Sequence, residues 1–301
     1  MSSVEEGAAA PLPALPRPEP VESDPTRSPD TDWVWWTSPL ALVAGIVLAA
    51  VAGLVVDLPA IALGAHVTTS HTPGGLVIAD TFVQDVAFVV AAVYCAKAAS
   101  RTLVRSWQFG MRRPGQGWWY AGLMVLGLIV AFIALDAIWG EISHPTKEKL
   151  LETLGTKESK SLLVLSAALT CVVAPIGEEV LFRGYMFTAL RNWRGTLPAA
   201  LIVGLLFGGV HVTSAPAADL VPLAALGFGL CLLYRFTGSL YPSIGAHALN
   251  NSLAFASLEN WNVGQGAVLI VCALAGLAAV ATMCKRVGLI APAGGLARPA
   301  A

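Results

Sequence analysis

The sequence is short of charge. Only 12% of its 301 residues are charged, about half the share of an ordinary soluble domain. Most charges fall in the first 32 residues and in a few short loops. Helices that are apolar all round need other protein to cover them in water, and too little polar sequence is present to do that covering. Lipid is therefore the natural solvent. A basic excess is also missing. The net charge of −1 excludes a nucleic-acid binder, which would carry a basic patch. Paired cysteine spacing is absent. Cys95, Cys171, Cys231, Cys272 and Cys284 sit in or at the end of apolar runs. They form neither a zinc motif nor a secreted disulfide framework and read as small apolar packing residues. The opening residues lack the basic start and apolar stretch of a signal peptide. Residues 1–32 are Pro-rich and acidic, cannot bury a core, and read as a disordered tail. Residues 287–301 read as a flexible C-terminal tail. No solenoid-period repeat and no second folded domain stands out between the tails, which leaves 33–286 as one polytopic membrane domain.

What the sequence has in plenty is long apolar runs, 56% of it being hydrophobic. A hydrocarbon core needs about 20 mostly apolar residues of helix. Eight segments meet or approach that length: Leu40–Val56, Phe82–Ala99, Trp118–Trp139, Leu162–Leu190, Pro198–Val212, Leu220–Tyr234, Leu240–Leu258 and Ala267–Cys284. The apolar stretch Leu54–Ala65 could add a re-entrant piece. The expected fold class is an all-α membrane protein, a bundle of about eight transmembrane helices around an intramembrane polar site.

Lys and Arg set the expected orientation. Arg101, Arg105, Arg112 and Arg113 follow the second segment; Arg191 and Arg194 follow the fourth. Arg235 follows the sixth, and Lys285 and Arg286 follow the eighth. The loops His66–Ala79, Thr213–Asp219 and Glu259–Gly264 carry neither residue. This alternation places both termini in the cytoplasm. Residues 141–160 disagree, since Lys147, Lys149, Lys157 and Lys160 fall on the outer side, interleaved with Glu141, Glu148, Glu152 and Glu158. Trp33, Trp35, Trp36, Trp118, Trp119 and Trp139 lie at segment ends, where interfacial aromatic belts are expected.

The fourth segment carries charge where charge is expensive. Glu178, Glu179 and Arg183 together cost roughly 8–10 kcal/mol on insertion scales. The 13 Leu, Ile, Val and Phe residues from Leu162 to Leu190 return about 4–8 kcal/mol on the same scale. The segment must then face other helices or a wet cavity. Arg183 lies four residues after Glu179, on one face and in the favourable order for an ion pair. Glu178 lies about 100° around the helix from Glu179 and is left free to point into a site. Pro175 lacks an N–H and is expected to kink the helix just before the cluster. Gly177 and Gly184 permit close approach of neighbours. The bland alternative is a buried salt bridge with one spare carboxyl.

Two histidines shift that balance. His66, His71 and His144 fall in loops, whereas His211 and His247 fall in apolar segments. Phe207 lies one turn before His211, and Gly208 and Gly209 leave room for another helix. Asn251 lies one turn after His247. Glu178, His211 and His247 sit at depths of about 18, 21 and 12 Å from the cytoplasmic segment ends at 1.5 Å per residue. Those depths are compatible with one site in the bilayer, nearer the cytoplasm.

The series Glu178-Glu179-x-x-x-Arg183, Phe207-x-x-x-His211 and His247-x-x-x-Asn251, with GEEVLFRGY around the first motif, resembles the CPBP family of intramembrane proteases. These are the type II CAAX prenyl endopeptidases and their bacterial relatives, also called Abi proteins. The resemblance covers about 162–258 and leaves the N-terminal tail outside. It implies hydrolysis of a peptide bond near the membrane surface. By the same resemblance Glu178 and His211 activate water, His247 and Asn251 stabilise the oxyanion, and Glu179, Arg183 and Phe207 support the site. One carboxylate and two histidines would also make a zinc set, namely Glu178, His211 and His247. No H-E-x-x-H is present, and a metal-free glutamate mechanism uses the same residues, so no cofactor is required by this reading. The implied partners are the bilayer and a membrane-associated peptide or protein substrate. The Ala- and Gly-rich composition points to a bacterial cell membrane, where prenylated substrates are not expected. A non-enzymatic scaffold or bacteriocin-immunity protein retaining the fold is the main alternative. An ion-coupled transporter would show inverted repeats, and none stands out.

Overall fold

The computed structural model describes residues 31, 33–65, 67, 72–100, 104–143 and 154–290, with Trp107 described by its backbone alone. The tails 1–30 and 291–301, His66, His71, His144 and most of the lysine-bearing loop lie outside the described residues. Among the described residues there is no strand. Eight helices follow one another: α1 Thr37–Ala62, α2 Gly74–Ala99, α3 Trp118–Ser143, α4 Lys160–Arg194, α5 Thr196–Val210, α6 Leu220–Thr237, α7 Leu240–Leu258 and α8 Val263–Arg286. All except α7 are long and apolar enough to cross a membrane, once the short turns that extend α5 to Thr213 and α6 back to Ala217 are included. The protein is thus an all-α membrane bundle.

The helices run further than the apolar segments. α2 begins eight residues before Phe82, because a helix continues through polar residues that a count of apolar positions stops at. Leu54–Ala62 continues α1. The expected re-entrant piece is therefore not formed, since nothing interrupts the backbone hydrogen bonds before Pro59, near the helix end. α7 keeps its expected bounds but carries Ser243, His247, Asn250, Asn251 and Ser252. That polar content makes it too polar to pass as a lipid-facing span.

α4 is the axis of the bundle. Every residue from Gly177 to Leu190 is buried, as expected of a helix covered by protein on all sides. By contrast α1, α3 and α8 turn large apolar side chains outward, among them Val55 (69% exposed), Leu126 (60%) and Val268 (63%). In a bilayer those faces meet lipid.

α4 also departs from α geometry twice. Leu169–Val173 and Val180–Phe187 are wound as π-helix. The first wide turn ends just before Pro175. Proline clashes with the carbonyl four residues back, and a turn with one extra residue relieves that clash.

Glycines set the tightest contacts. A Cβ on Gly177 would lie 2.9 Å from the Asp85 carbonyl oxygen, so α2 presses directly on α4. A Cβ on Gly208 would lie 2.6 Å from the Leu220 oxygen, bringing α5 against α6. Such backbone approach is the usual means of packing helices in lipid. Gly209, also expected to make room, faces open space instead.

The tryptophans divide. Trp35, Trp36, Trp118 and Trp119 are exposed near helix ends. Trp33 does not belong to a belt. It is 2% exposed, stacks at 5.0 Å on Phe109 and Tyr185, and donates its indole N–H to Ser100 Oγ at 2.9 Å. With that N–H satisfied, the ring is buried at little polar cost. Cys95, Cys171 and Cys231 are buried and free; Cys272 is exposed.

Candidate active site

The polar groups converge where α4, α5, α6 and α7 meet. Glu179 and Arg183 are both fully buried. Arg183 Nη1 donates to Glu179 Oε1 at 2.7 Å, the pair expected from their spacing. Arg183 Nη2 donates to the Gly227 carbonyl on α6 at 3.0 Å. The guanidinium lies 4.4 Å from the centre of the Phe207 ring, a cation–π contact strengthened by desolvation. A buried arginine is thus held by an anion, a carbonyl and a ring from three helices.

His247 joins the cluster from α7 at 3% exposure. Its Nδ1 donates to Glu179 Oε1 at 3.0 Å. A carboxylate holding one imidazole nitrogen fixes the ring and directs the other nitrogen. That other nitrogen, Nε2, faces Glu178 Oε2 at 3.8 Å. Glu178 itself is 9% exposed, and its Oε2 is buried without a hydrogen-bond partner. So Glu179 Oε1 has two cationic or donor partners, Glu178 has only the longer contact to His247, and the Oε2 of each lacks a hydrogen bond.

Phe207 separates the two histidines. Its ring centre is 5.1 Å from that of His211 and 5.5 Å from that of His247. His211 caps the C-terminus of α5 with its side chain half-buried. Its Nδ1 donates to the Phe207 carbonyl at 2.7 Å, which leaves Nε2 as the nitrogen with a lone pair. Its contacts are thus with Phe207 rather than Glu178. Asn251, half-buried on α7, donates to the Thr170 carbonyl at 2.9 Å. The seven side chains singled out from the sequence therefore lie around one junction, with His211 and Asn251 at its margins.

One buried group was not singled out. Asp85 on α2 is 2% exposed, and both its carboxyl oxygens lack a partner. It packs against Gly177, the residue before Glu178. An Asp inside a membrane segment carries the same desolvation cost as Glu178, and that is the signal the sequence holds.

Among the described residues no group of three or more His, Cys, Asp or Glu side chains is placed to hold a metal ion. The proposed zinc set Glu178, His211 and His247 is not gathered into such a group. Each histidine donates its Nδ1–H, to Glu179 or to the Phe207 carbonyl, and keeps Nε2 for another partner.

Residues 160–253 match the family model described as type II CAAX prenyl endopeptidase Rce1-like. The segment is similar to that family. It holds α4 to α7 up to Leu253, and with them every residue of the junction. Two curated proteins of Bacillus subtilis (strain 168) are also similar. "Uncharacterized protein YyaK" is 30% identical over 151 residues, 47% of this chain and 50% of that protein. "Putative membrane peptidase YdiL" is 34% identical over 140 residues, 44% of this chain and 55% of that protein. The chain thus spans about half the length of the curated relatives it matches. No solved structure matches it. With seven apolar helices long enough to cross among the described residues, the chain is an integral multi-pass membrane protein.

Proposed function

We propose that the protein is an intramembrane endopeptidase that hydrolyses a peptide bond near the membrane surface. The observation that carries this reading is the inequality of the two glutamates. Glu179 Oε1 accepts hydrogen bonds from Arg183 and His247, while Glu178 accepts none and meets only His247 Nε2, at 3.8 Å; the Oε2 of each is buried without a hydrogen bond. A scaffold needs the first arrangement for packing. The second costs stability at Glu178 as it does at Asp85, but Glu178 also lies against an imidazole, that of His247.

In the proposed reaction Glu178 takes a proton from a water molecule as the water oxygen attacks the peptide carbonyl carbon. His211 Nε2 helps orient that water through its lone pair. The oxyanion so formed is met by two donors. One is the second N–H of the Asn251 amide, the first being held by Thr170. The other is His247 Nε2, which donates when the ring is protonated and Glu179 neutralises it. The proton on Glu178 then passes to the leaving amine as the C–N bond breaks, and the carboxylate is restored. No step is routed through a metal.

The proposed substrate is a membrane-associated peptide or protein segment, without a requirement for prenylation. The proposed setting is a bacterial cell membrane with both termini in the cytoplasm. The Rce1-like match and the peptidase name of one relative support the reaction class. The test compares membrane and secreted peptide profiles of cells making wild type or Glu178→Ala. A loss of about 10²- to 10⁴-fold in the yield of specific fragments is expected for removal of a general base. If no fragment depends on Glu178, the protein is a non-enzymatic scaffold that keeps the fold.

A further inference from the structure

A second feature lies on the side of α4 turned away from Glu178. Ile176 and Val180, two residues to either side of Glu178, line a cavity of about 950 Å³ that α2, α3, α7 and α8 complete. Its interior is apolar. Gly122 on α3 and Gly245 on α7 line it, and a Cβ on either would meet nothing within 4 Å. It is a slot with room in it.

The polar groups of the slot gather at one end. Lys97 near the end of α2, Arg105 in the connection that follows, and Lys285 near the end of α8 stand at its mouth. All three are exposed, and no Asp or Glu lines the cavity. Trp118 and Tyr241, which open α3 and α7, stand at the same end with ring centres 6.4 Å apart. The ammonium of Lys285 lies 5.8 Å from the centre of the Tyr241 ring. Depth can be read along the helices. Lys97 to Val89 is about 12 Å of helix and Lys285 to Leu274 about 16 Å at 1.5 Å per residue. Half of a typical hydrocarbon core is about 15 Å. The slot is therefore as deep as one leaflet, with aromatic rings and three cations at the level of its head groups.

We propose that this slot is a binding site for an anionic phospholipid, with an acyl chain between the helices and the head-group phosphate on Lys97, Arg105 and Lys285. Basic pockets between membrane helices recognise anionic head groups in this way. A zwitterionic lipid would satisfy the walls but bring its own ammonium beside the phosphate, which three cations disfavour. The site is separate from the peptidase reading and does not depend on it.

The experiment places the full-length protein in mixed phosphatidylglycerol and phosphatidylcholine bilayers and measures lipids that stay bound on extraction, by native mass spectrometry. Phosphatidylglycerol should be retained in preference. Lys97→Gln, Arg105→Gln and Lys285→Gln should each weaken its binding about fivefold, and the triple variant about a hundredfold. Phosphatidylcholine binding should not move. Gly122→Phe should fill the slot and abolish phosphatidylglycerol retention while leaving the thermal midpoint of the lipid-free protein in place. Equal retention of the two lipids, a triple variant that keeps its preference, or an unaffected Gly122→Phe would each overturn the proposal.

Discussion

Asn251 donates to the carbonyl oxygen of Thr170 at 2.9 Å, and that carbonyl is the one Pro175 leaves without a backbone donor. In the wide turn of α4 the N–H of Ala174 reaches Leu169, five residues back. The next donor in that register would be residue 175, reaching Thr170. Proline has no N–H, so a side chain from α7 takes its place. Asn251→Ala should therefore cost about 1–3 kcal/mol, the price of an unpaired buried carbonyl. Pro175→Ala should recover much of that loss in the same background. A double-mutant cycle on thermal unfolding reads the coupling, and simple additivity would refute it. Hydrolysis should stay low in the double variant, because the oxyanion donor is still missing.

The buried cation on α4 offers a second prediction. Arg183→Met removes the charge that faces Glu179 and leaves a carboxylate at 0% exposure with only His247 beside it. Breaking a buried pair from one side costs about 3–5 kcal/mol. Adding Glu179→Gln to Arg183→Met should return a large part of it. Unfolding midpoints in one membrane mimic decide the matter, and a double variant no better than the single would count against the pairing.

Neighbouring glycines on α5 should behave differently. Gly208→Ala forces a methyl to within 2.6 Å of the Leu220 oxygen, an overpacking that should cost about 1–3 kcal/mol. It should also lower hydrolysis by moving His211. Gly209→Ala faces open space and should be neutral or stabilising by up to about 1 kcal/mol, since alanine is the better helix former. Equal effects at the two positions would contradict the α5–α6 contact.

Asp85 is a stability liability as it stands. Asp85→Val removes two buried unpartnered oxygens and should raise stability by about 1–3 kcal/mol. A fall in the unfolding midpoint would reveal that the carboxyl is tied to a partner of its own.

The sequence spoke clearly about α4. Glu179 and Arg183 announced their pair through spacing alone, because an i, i+4 relation is a local property of any helix. Depth along the segments put Glu178, His211 and His247 at compatible levels of the bilayer, and Asn251 joined them by its spacing from His247, but their roles came only through a family resemblance, since distance between separate helices has no local signal. The contact of His247 with Glu179 was not legible for the same reason. Nor was the role of Thr170, whose carbonyl matters only once the backbone widens. Leu240–Leu258 read as a span by length, although its polar side chains mark a helix covered by protein. Trp33 was misplaced because an aromatic at a segment end reads alike whether it faces a head group or, as here, Ser100.

The unbroken burial of Gly177–Leu190 has a consequence for biogenesis. A segment whose insertion energy sums to between about zero and about 6 kcal/mol unfavourable gains nothing by leaving the translocon alone. Its three charges acquire their carbonyl and imidazole partners only from Gly227 and His247, which are synthesised later. Stable integration of α4 must therefore wait for α6 and α7, so a ribosome stalled before Gly227 would leave α4 exchangeable between the channel and the lipid.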